Sequence, residues 1–465
     1  MLEVLNTLLW GPGTLALILG TGVWLTLRTG GFPQRNLGRA LTLSLGREAR
    51  RKGRGGVSPF GSLMTALAST VGTGNIVGVA AALVSGGPGA LVWMELAALL
   101  GLASKFAECM LAVKYRRVRR DGTRWGGPMA VMEARLGAPG RWMGKLFAVF
   151  ALLMAFTMGA LAQSGALADT FSAAFTLPRW RASLEKTPRA TPQRRALPRW
   201  RVGLVTAALA LTILLGGIRR IADISTVLVP VMALLYLGGG LAVILGNLRR
   251  LPEAVTLMLR CAVAPEAALG GALGIVTRRE ALRWGVARGV FSNEAGLGSA
   301  AITAACADTE DPVRQGLISM TGVFFDTMVI CAVTGLAICC SGTLGAADGN
   351  GRPLTGAALT LRAFETVLGP LAPWLIGVAL GLFAFTSVLG CAVQAETTAS
   401  YLLGPEAVRP CRVLYGLAVF AGAVIPMATV LQLADLANAL MAFPNLVCLL
   451  LLSDEIAGEC RRKDR

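Results

Sequence analysis

Two short stretches carry residue types that sit poorly in a membrane-crossing helix unless they do chemistry there. Residues 70–78 read TVGTGNIVG and residues 291–299 read FSNEAGLGS, each inside a long apolar run. Both contain Gly-X-Gly followed by a polar residue, GTGN at 72–75 and GLGS at 296–299. Backbone N–H and C=O groups find no water in hydrocarbon, so unwound chain survives there only where it lines a cavity or meets a ligand. A break frees N–H groups at the start of one half-helix and carbonyls at the end of the other. The N–H set, with its helix dipole, suits a carboxylate. The carbonyls suit a small hard cation, and two such breaks in corresponding positions point to a secondary transporter with a midplane site. Close helix packing is the competing explanation, and it accounts for Gly74 and Gly78 as a GxxxG. It does not account for Asn75, nor for Ser292, Asn293 and Glu294 together in one span, because such groups are costly to bury in lipid.

The elements that must position these stretches are helices. Of 465 residues, 54% are hydrophobic and 15% charged, where soluble domains carry charge on about a quarter. Mean hydropathy is +0.63. The charges fall between apolar runs long enough for membrane helices, and no short alternating segments of a β-barrel are visible. Eleven spans are expected, at about 8–28, 58–84, 88–113, 143–175, 202–218, 221–246, 282–306, 316–341, 373–401, 412–430 and 434–453. Seven Lys/Arg in 29–57 and eight in 114–142 mark those loops as cytoplasmic. That places the N-terminus outside and the tail ECRRKDR inside. MLEVLNTLLW lacks a basic leader and a small-residue cleavage site, so a retained first helix is expected rather than a signal peptide.

One loop departs from this pattern. Residues 176–201 carry eight Lys/Arg and LPRWR twice, yet fall outside by alternation. Either this loop is a tolerated exception or the span count is off by one nearby. Segment 342–372 is expected to contain a short amphipathic helix in LTGAALTLRAFETVL. Segment 253–281, helical in pattern and punctuated by Pro265 and Gly270–Gly271, is expected to lie along the membrane interface.

Composition also removes several classes of function. With no histidine, Ser-His-Asp and Cys-His catalysis and His-ligated zinc are excluded. Ten scattered cysteines show no CxxC spacing and read as reduced core residues. The net charge of +18 belongs to topology-setting loops rather than to nucleic-acid binding, since no reader motif accompanies it.

The chain resembles the alanine or glycine:cation symporter family, the sodium–alanine symporters, over nearly its whole length. The resemblance is carried by TALASTVGTGNIVGVAAAL, GGPGALVWMELAALLGLASKFAECMLAVKYR, GVARGVFSNEAGLGSA, LFAFTSVLG and ALMAFPNLV. It implies an all-α polytopic membrane protein with leucine-transporter-type inverted five-helix repeats after one extra N-terminal helix. The extra helix and its loop would be 1–57, the repeats 58–246 and 247–455 (spans two to six and seven to eleven), and the cytoplasmic tail 456–465.

It further implies sodium-coupled uptake of a small neutral amino acid by alternating access, with sodium as the coupling ion and no enzymatic activity. Gly72, Thr73 and Gly74 would offer N–H groups to the substrate carboxylate, with Asn75 nearby. Carbonyls of Ala68 and Val71 and hydroxyls of Thr386 and Ser387 would bind sodium, a hard ion served by oxygen. Those hydroxyls could instead bond back to their own helix. Ser292, Asn293 and Gly296 would line the opposite wall, and Gln163 would approach the substrate. Glu294 is read as structural ahead of a part in ion coupling, and Lys105 with Glu108 as a helix-surface pair. Asp326 is a buried acid without an evident partner.

This chain departs from the family around the implied pocket. Cys391 stands where an aromatic wall is usual, so the site is expected to be larger and to admit bigger amino acids. Ala160 and Gly165 replace asparagines that usually flank Gln163, and Glu95 replaces a tryptophan. Glu95 could attract cations in an outer vestibule or pair with an arginine. Proton coupling through Glu294 or Glu95, and a binding protein that no longer transports, are the alternative readings. The sequence does not specify the oligomeric state.

Overall fold

The computed structural model describes residues 6–464 apart from 7–8, 52–56, 119–121, 175–196, 264–265, 269–274 and 350. Helix α1 is Pro12–Arg28 and α2 is Leu37–Leu45. A broken pair follows, α3 (Pro59–Thr70) and α4 (Val77–Gly86), and then α5 (Gly89–Lys114). A two-residue hairpin, β1 (Arg117–Val118) with β2 (Arg124–Trp125), precedes α6 (Pro128–Arg135). Next, α7 (Gly137–Met154) runs through a π-helical stretch, Ala155–Ala162, into α8 (Gln163–Ala174). Helices α9 (Arg199–Leu214), α10 (Gly217–Gly246) and α11 (Leu251–Val263) complete this half.

A second hairpin, β3 (Glu266–Ala268) with β4 (Ile275–Thr277), leads to another broken pair, α12 (Arg278–Asn293) and α13 (Ser299–Ala305). Helix α14 (Pro312–Val323) passes through a π-helical stretch, Phe324–Cys331, into α15 (Ala332–Ser341). The expected amphipathic segment is α16 (Gly356–Leu368), which buries Leu359, Ala363 and Phe364. Helices α17 (Ala372–Leu403), α18 (Val408–Gly422), α19 (Met427–Leu451) and α20 (Ser453–Asp464) close the chain.

Among the described residues, helical segments lie along the predicted apolar runs. Among the described residues six helices are long and apolar enough to cross a membrane, and the bent α3–α4 pair, taken as one span, makes a seventh. With 17, 16 and 15 residues, α1, α9 and α18 fall short of the ~20 that a full crossing takes. The basic loops hold more structure than expected: α2 lies within 29–57, and α6 with a hairpin within 114–142. Segment 253–281, expected to be helical with interruptions, is helical only to Val263 and then forms the β3–β4 pair before α12. Its Pro265 and Gly270–Gly271, like the first LPRWR at 177–181, lie outside the described residues.

Helix ends follow local chemistry. Ser58 caps α3 by accepting from the Gly61 N–H at 3.0 Å, with Pro59 in the first turn. Asp311 caps α14 from the Arg314 N–H at 3.1 Å, again with proline following. Helix α5 is buried along most of its length and is the spine of the molecule. Apolar side chains of α1, α7, α14 and α19 pack around its Phe106 and Met110. A second core joins α3, α4, α10, α16 and α17 around Tyr236, Phe364 and Phe383. The first break contributes Val71 and Ile76 to the second core, and the other break contributes Ala295 and Leu297 to the first.

Candidate functional site

The first break begins where α3 ends at Thr70, and its two half-helices meet at 62°. Val71 is extended (φ −73°, ψ 97°), and Thr73–Asn75 make one tight turn before α4. Asn75 organises it from within: its Oδ1 accepts the Gly72 N–H at 2.9 Å. Of the N–H groups expected to face a carboxylate, that of Gly72 is thus already satisfied. Thr73 and Gly74 are half-exposed although their neighbours are buried.

Helix α17 presses directly on this break. A Cβ at Gly390 would meet the Ser69 nitrogen at 2.4 Å, so only glycine allows the contact with Ala68–Ser69. One turn away, a Cβ at Gly72 would lie 2.9 Å from the Ser387 Oγ and 3.5 Å from the Gln163 Nε2. Ser387 approaches the Val71 carbonyl at 3.4 Å while donating to the Phe383 carbonyl of its own helix at 2.9 Å. Gln163 Oε1 sits 3.5 Å from the Thr73 hydroxyl. The structure therefore gathers Ala68, Val71, Gly72, Thr73, Gln163 and Ser387 at one place. Thr386 differs: its hydroxyl bonds back to Leu382 and Phe383 and touches the Met232 sulfur at 3.2 Å.

The second break is held by a buried polar network that also reaches the first. Asp326, in the wide turn between α14 and α15, accepts from Asn75 Nδ2 at 2.8 Å and from Ser292 Oγ at 2.6 Å. Thr327 Oγ1 donates to the same carboxylate at 3.0 Å, and Asn293 Nδ2 donates to Thr327 at 3.1 Å. Asp326, whose partners sequence reasoning did not find, thus joins both breaks. Ser292 and Asn293 spend their hydrogen bonds here rather than presenting an open wall. The pattern satisfies the rule that buried polar groups are paired.

Glu294 is the one non-glycine residue with positive φ among those described, at 52°. Its strained backbone is over-determined: its N–H donates to Val290 at 2.8 Å, and its carboxylate accepts from Ser299. The Lys105 ammonium meets its carbonyl at 3.1 Å. Gly296 and Gly298 follow at φ 82° and 84°, a left-handed backbone open to glycine.

Here the structure corrects the surface reading of Lys105 and Glu108. Their side chains are 3% and 0% exposed, and they form an ion pair at 3.7 Å. Lys105 sits at the carbonyl end of α12, while Glu108 Oε2 accepts the Gly298 N–H at the start of α13 at 3.0 Å. Cation at a C-terminus and anion at an N-terminus is the arrangement that helix dipoles favour. Asn445 of α19 completes it, donating to Glu108 at 3.0 Å and to the Gly296 carbonyl at 2.9 Å. The carbonyl of Gly296 is thereby occupied. Asn445 was visible only as part of ALMAFPNLV, with no feature in the sequence to tie it to a break 149 residues away.

Cys391 is buried against Gly159 and Tyr415. A Cβ at Gly159 would be 2.2 Å from the Cys391 Cβ and 2.7 Å from the Tyr415 hydroxyl. The π-helical stretch of 155–162 brings the helix in, so the space expected from the missing aromatic is closed at this position rather than enlarged. Glu95 has a buried Oε1 with no hydrogen-bond partner among the described residues. No group of three or more acidic or cysteine ligands for a metal occurs among them either. At the first break the Val71 carbonyl and the Ser387 hydroxyl bring two oxygens together, 3.4 Å apart.

Residues 1–462 match the model of the sodium:alanine symporter family. The chain belongs to that family. A transporter of Haemophilus influenzae is 43% identical over 463 residues, covering 99% of this chain and 95% of its own. The sodium/alanine symporter AgcS of Methanococcus maripaludis is 39% identical over 465 residues, covering 99% and 96%. Among solved structures, MhsT in complex with L-phenylalanine superposes with a TM-score of 0.58 at 15% identity, over 86% of this chain and 90% of that one. That likeness establishes a leucine-transporter-type fold. This symporter-family chain is a multi-pass membrane protein with both helix breaks in its core.

Proposed function

We propose that the protein is a sodium-coupled symporter that carries a small neutral amino acid into the cell by alternating access. The carrying observation is the first break, where half-exposed Thr73 and Gly74 lie beside the Val71–Ser387 oxygen pair in an otherwise buried core. The substrate carboxylate would take the N–H groups of Thr73 and Gly74, and sodium the Val71 and Ala68 carbonyls with Ser387. Thr386 would join the ion by turning from its own helix. Opposite charges a few ångströms apart in a poorly screened site stabilise each other. The ion then favours the conformer that binds substrate well, which is the basis of coupling. The name of the AgcS relative supports alanine as substrate.

The same reading has the repeats at 58–246 and 247–455, eleven crossings of a prokaryotic plasma membrane, the N-terminus outside and the C-terminus in the cytoplasm. Radiolabelled amino-acid uptake into proteoliposomes, with and without a sodium gradient, tests it. Alanine accumulation that needs sodium is the expected result, and uptake indifferent to sodium would overturn it. Proton coupling is the second reading, favoured by the unpartnered buried oxygen of Glu95. It calls for uptake that survives without sodium and collapses with a protonophore.

A further inference from the structure

A cavity of about 230 Å³ lies where α2, the start of α14 and the end of α20 meet. Its rim is charged: Arg39 of α2, Glu48 just beyond that helix, Asp311 and Arg314 at the start of α14, and Lys463 of α20. Its floor is apolar, made by Phe32, Leu43 and Leu317. Asp311 and Arg314 stand at the first turn of a helix long and apolar enough to cross a membrane, which puts the rim at headgroup depth. Leu317 lies three residues further in, about 4.5 Å along the helix axis, toward the hydrocarbon.

The charges on the rim do not balance. Arg314 Nη2 meets Glu48 at 2.8 Å and Lys463 Nζ meets Asp311 at 2.6 Å, so each acid already has a cation. Arg39 makes no ion pair or hydrogen bond with any described residue. The Nε of Arg314 is buried and lacks a hydrogen-bond partner among them. A buried donor on a charged group is costly when unpaired, and an anion in the cavity would pair it. Two guanidinium groups with free N–H on one cavity suit a phosphate, whose oxygens can accept from both. Segment 29–57, which supplies Arg39, carries seven Lys/Arg and a single acid, Glu48. Such a basic segment beside a crossing helix is drawn to anionic lipid. A free phosphate would use the rim alone, whereas the apolar floor gains only from a ligand with hydrocarbon to bury.

We propose that this cavity binds an anionic phospholipid, with the phosphate between Arg39 and Arg314 and the glycerol end of the acyl chains over Phe32, Leu43 and Leu317. The site is separate from both helix breaks and does not depend on which substrate the protein carries. A lipid held there joins α2 to α14 beside the docked end of α20, so it stabilises the folded protein by mass action.

The test titrates the full-length protein in detergent with dioleoylphosphatidylglycerol and counts retained lipid by native mass spectrometry. Dioleoylphosphatidylcholine and inorganic phosphate are the comparison ligands. One phosphatidylglycerol should be retained per chain, bound about tenfold or more tighter than phosphatidylcholine, and it should raise the unfolding temperature. Arg39→Gln should weaken it about tenfold, the loss of one charge-assisted contact. Arg141→Gln removes an exposed cation of α7 that does not line the cavity, and should leave binding unchanged. Glu48→Gln frees Arg314 and should tighten binding several-fold, which a misfolded protein would not do. Equal retention of the two lipids overturns the site. Equal losses in Arg39→Gln and Arg141→Gln also overturn it, since general surface charge alone would then attract the lipid. Inorganic phosphate that displaces phosphatidylglycerol at equal concentration overturns the phospholipid assignment, because the apolar floor would then contribute nothing.

Discussion

Replacing Lys105 by methionine removes the cation that meets the Glu294 carbonyl at 3.1 Å and the Glu108 carboxylate at 3.7 Å. Both side chains of the pair are buried, so no water can replace the ammonium. Breaking a buried pair from one side costs about 3–5 kcal/mol because the partner charge stays uncompensated. Glu108→Gln strands the Lys105 ammonium in the same way and should also cost about 3–5 kcal/mol. A glutamine oxygen can still accept from Gly298 and Asn445, so the geometry of the second break survives. The double variant should then be less destabilised than the sum, with a coupling of about 1–3 kcal/mol, because each single change strands the other residue. Reversible unfolding in mixed micelles measures all four corners of this cycle. Additive effects, or a loss below about 1 kcal/mol for Lys105→Met, would show that the pair does not clamp the break.

Three shorter predictions concern other parts of the molecule. Gly390→Ala places a methyl 2.4 Å from the Ser69 nitrogen; overpacking of this kind costs about 1–3 kcal/mol, and sodium-dependent uptake should fall at least about tenfold as α17 is pushed off the first break. Cys391→Trp should fail to fold or lose most uptake, since Gly159 and Tyr415 close that space; an active variant with a narrowed substrate range would restore the idea of an open pocket there. The last concerns pH at the C-terminal helix. Burial raises the Asp311 carboxyl, but Lys463 and the Arg314 N–H outweigh it and hold it below the ordinary 3.8. Burial likewise raises Glu455, and Lys114 and Tyr115 bring it below 4.5. Carboxylates depressed on folding stabilise fully above their ordinary pKa, and that contribution disappears as pH falls through the folded value. Helix α20, tied by Lys463 to Asp311 at 2.6 Å and by Glu455 to Lys114 at 2.7 Å, should stay docked above about pH 4.5 and release in stronger acid. Limited proteolysis of the tail across this range reads the release, and cleavage independent of pH would refute it.

The breaks were legible because glycine and polar residues in a lipid-length run violate a strong rule, and a violation is easy to see. The same holds for α16, whose amphipathic period is local. Contacts between distant segments were not legible. Nothing near Asp326 in sequence indicates that Asn75 and Ser292 will meet it, because the wide turn of Phe324–Cys331 rotates it out of helical register. Lys105 and Glu108 looked like a surface pair because their spacing fits one. Their burial is set by α12, α13 and α19, which meet there from positions far along the chain. Cys391 misled for a related reason: a small residue predicts space only if its neighbour does not move in, and Gly159 does.

The two breaks are therefore unlike in physical terms. In the second, Lys105, Glu108 and Asn445 supply fixed partners for the backbone groups that unwinding frees, so this break is complete without a ligand. In the first, Asn75 satisfies one N–H and Ser387 lies at the edge of contact with one carbonyl, while Thr73 and Gly74 stay half-exposed. A break that lacks partners gains most from ligands that supply them, an anion on its N–H side and a cation on its carbonyl side. Asp326 links the two, since it accepts from Asn75 in the first and Ser292 in the second. Any movement of Asn75 on ligand binding must alter a hydrogen bond shared with the rigid break. In the symport reading, the fixed break is the frame against which the ligand-dependent one is measured, and Asp326 is where the two are compared. Asp326→Asn retains the size of the side chain but turns one acceptor into a donor that faces Asn75 or Ser292. Its cost should appear mainly in coupling, as uptake less steeply dependent on sodium, rather than in folding.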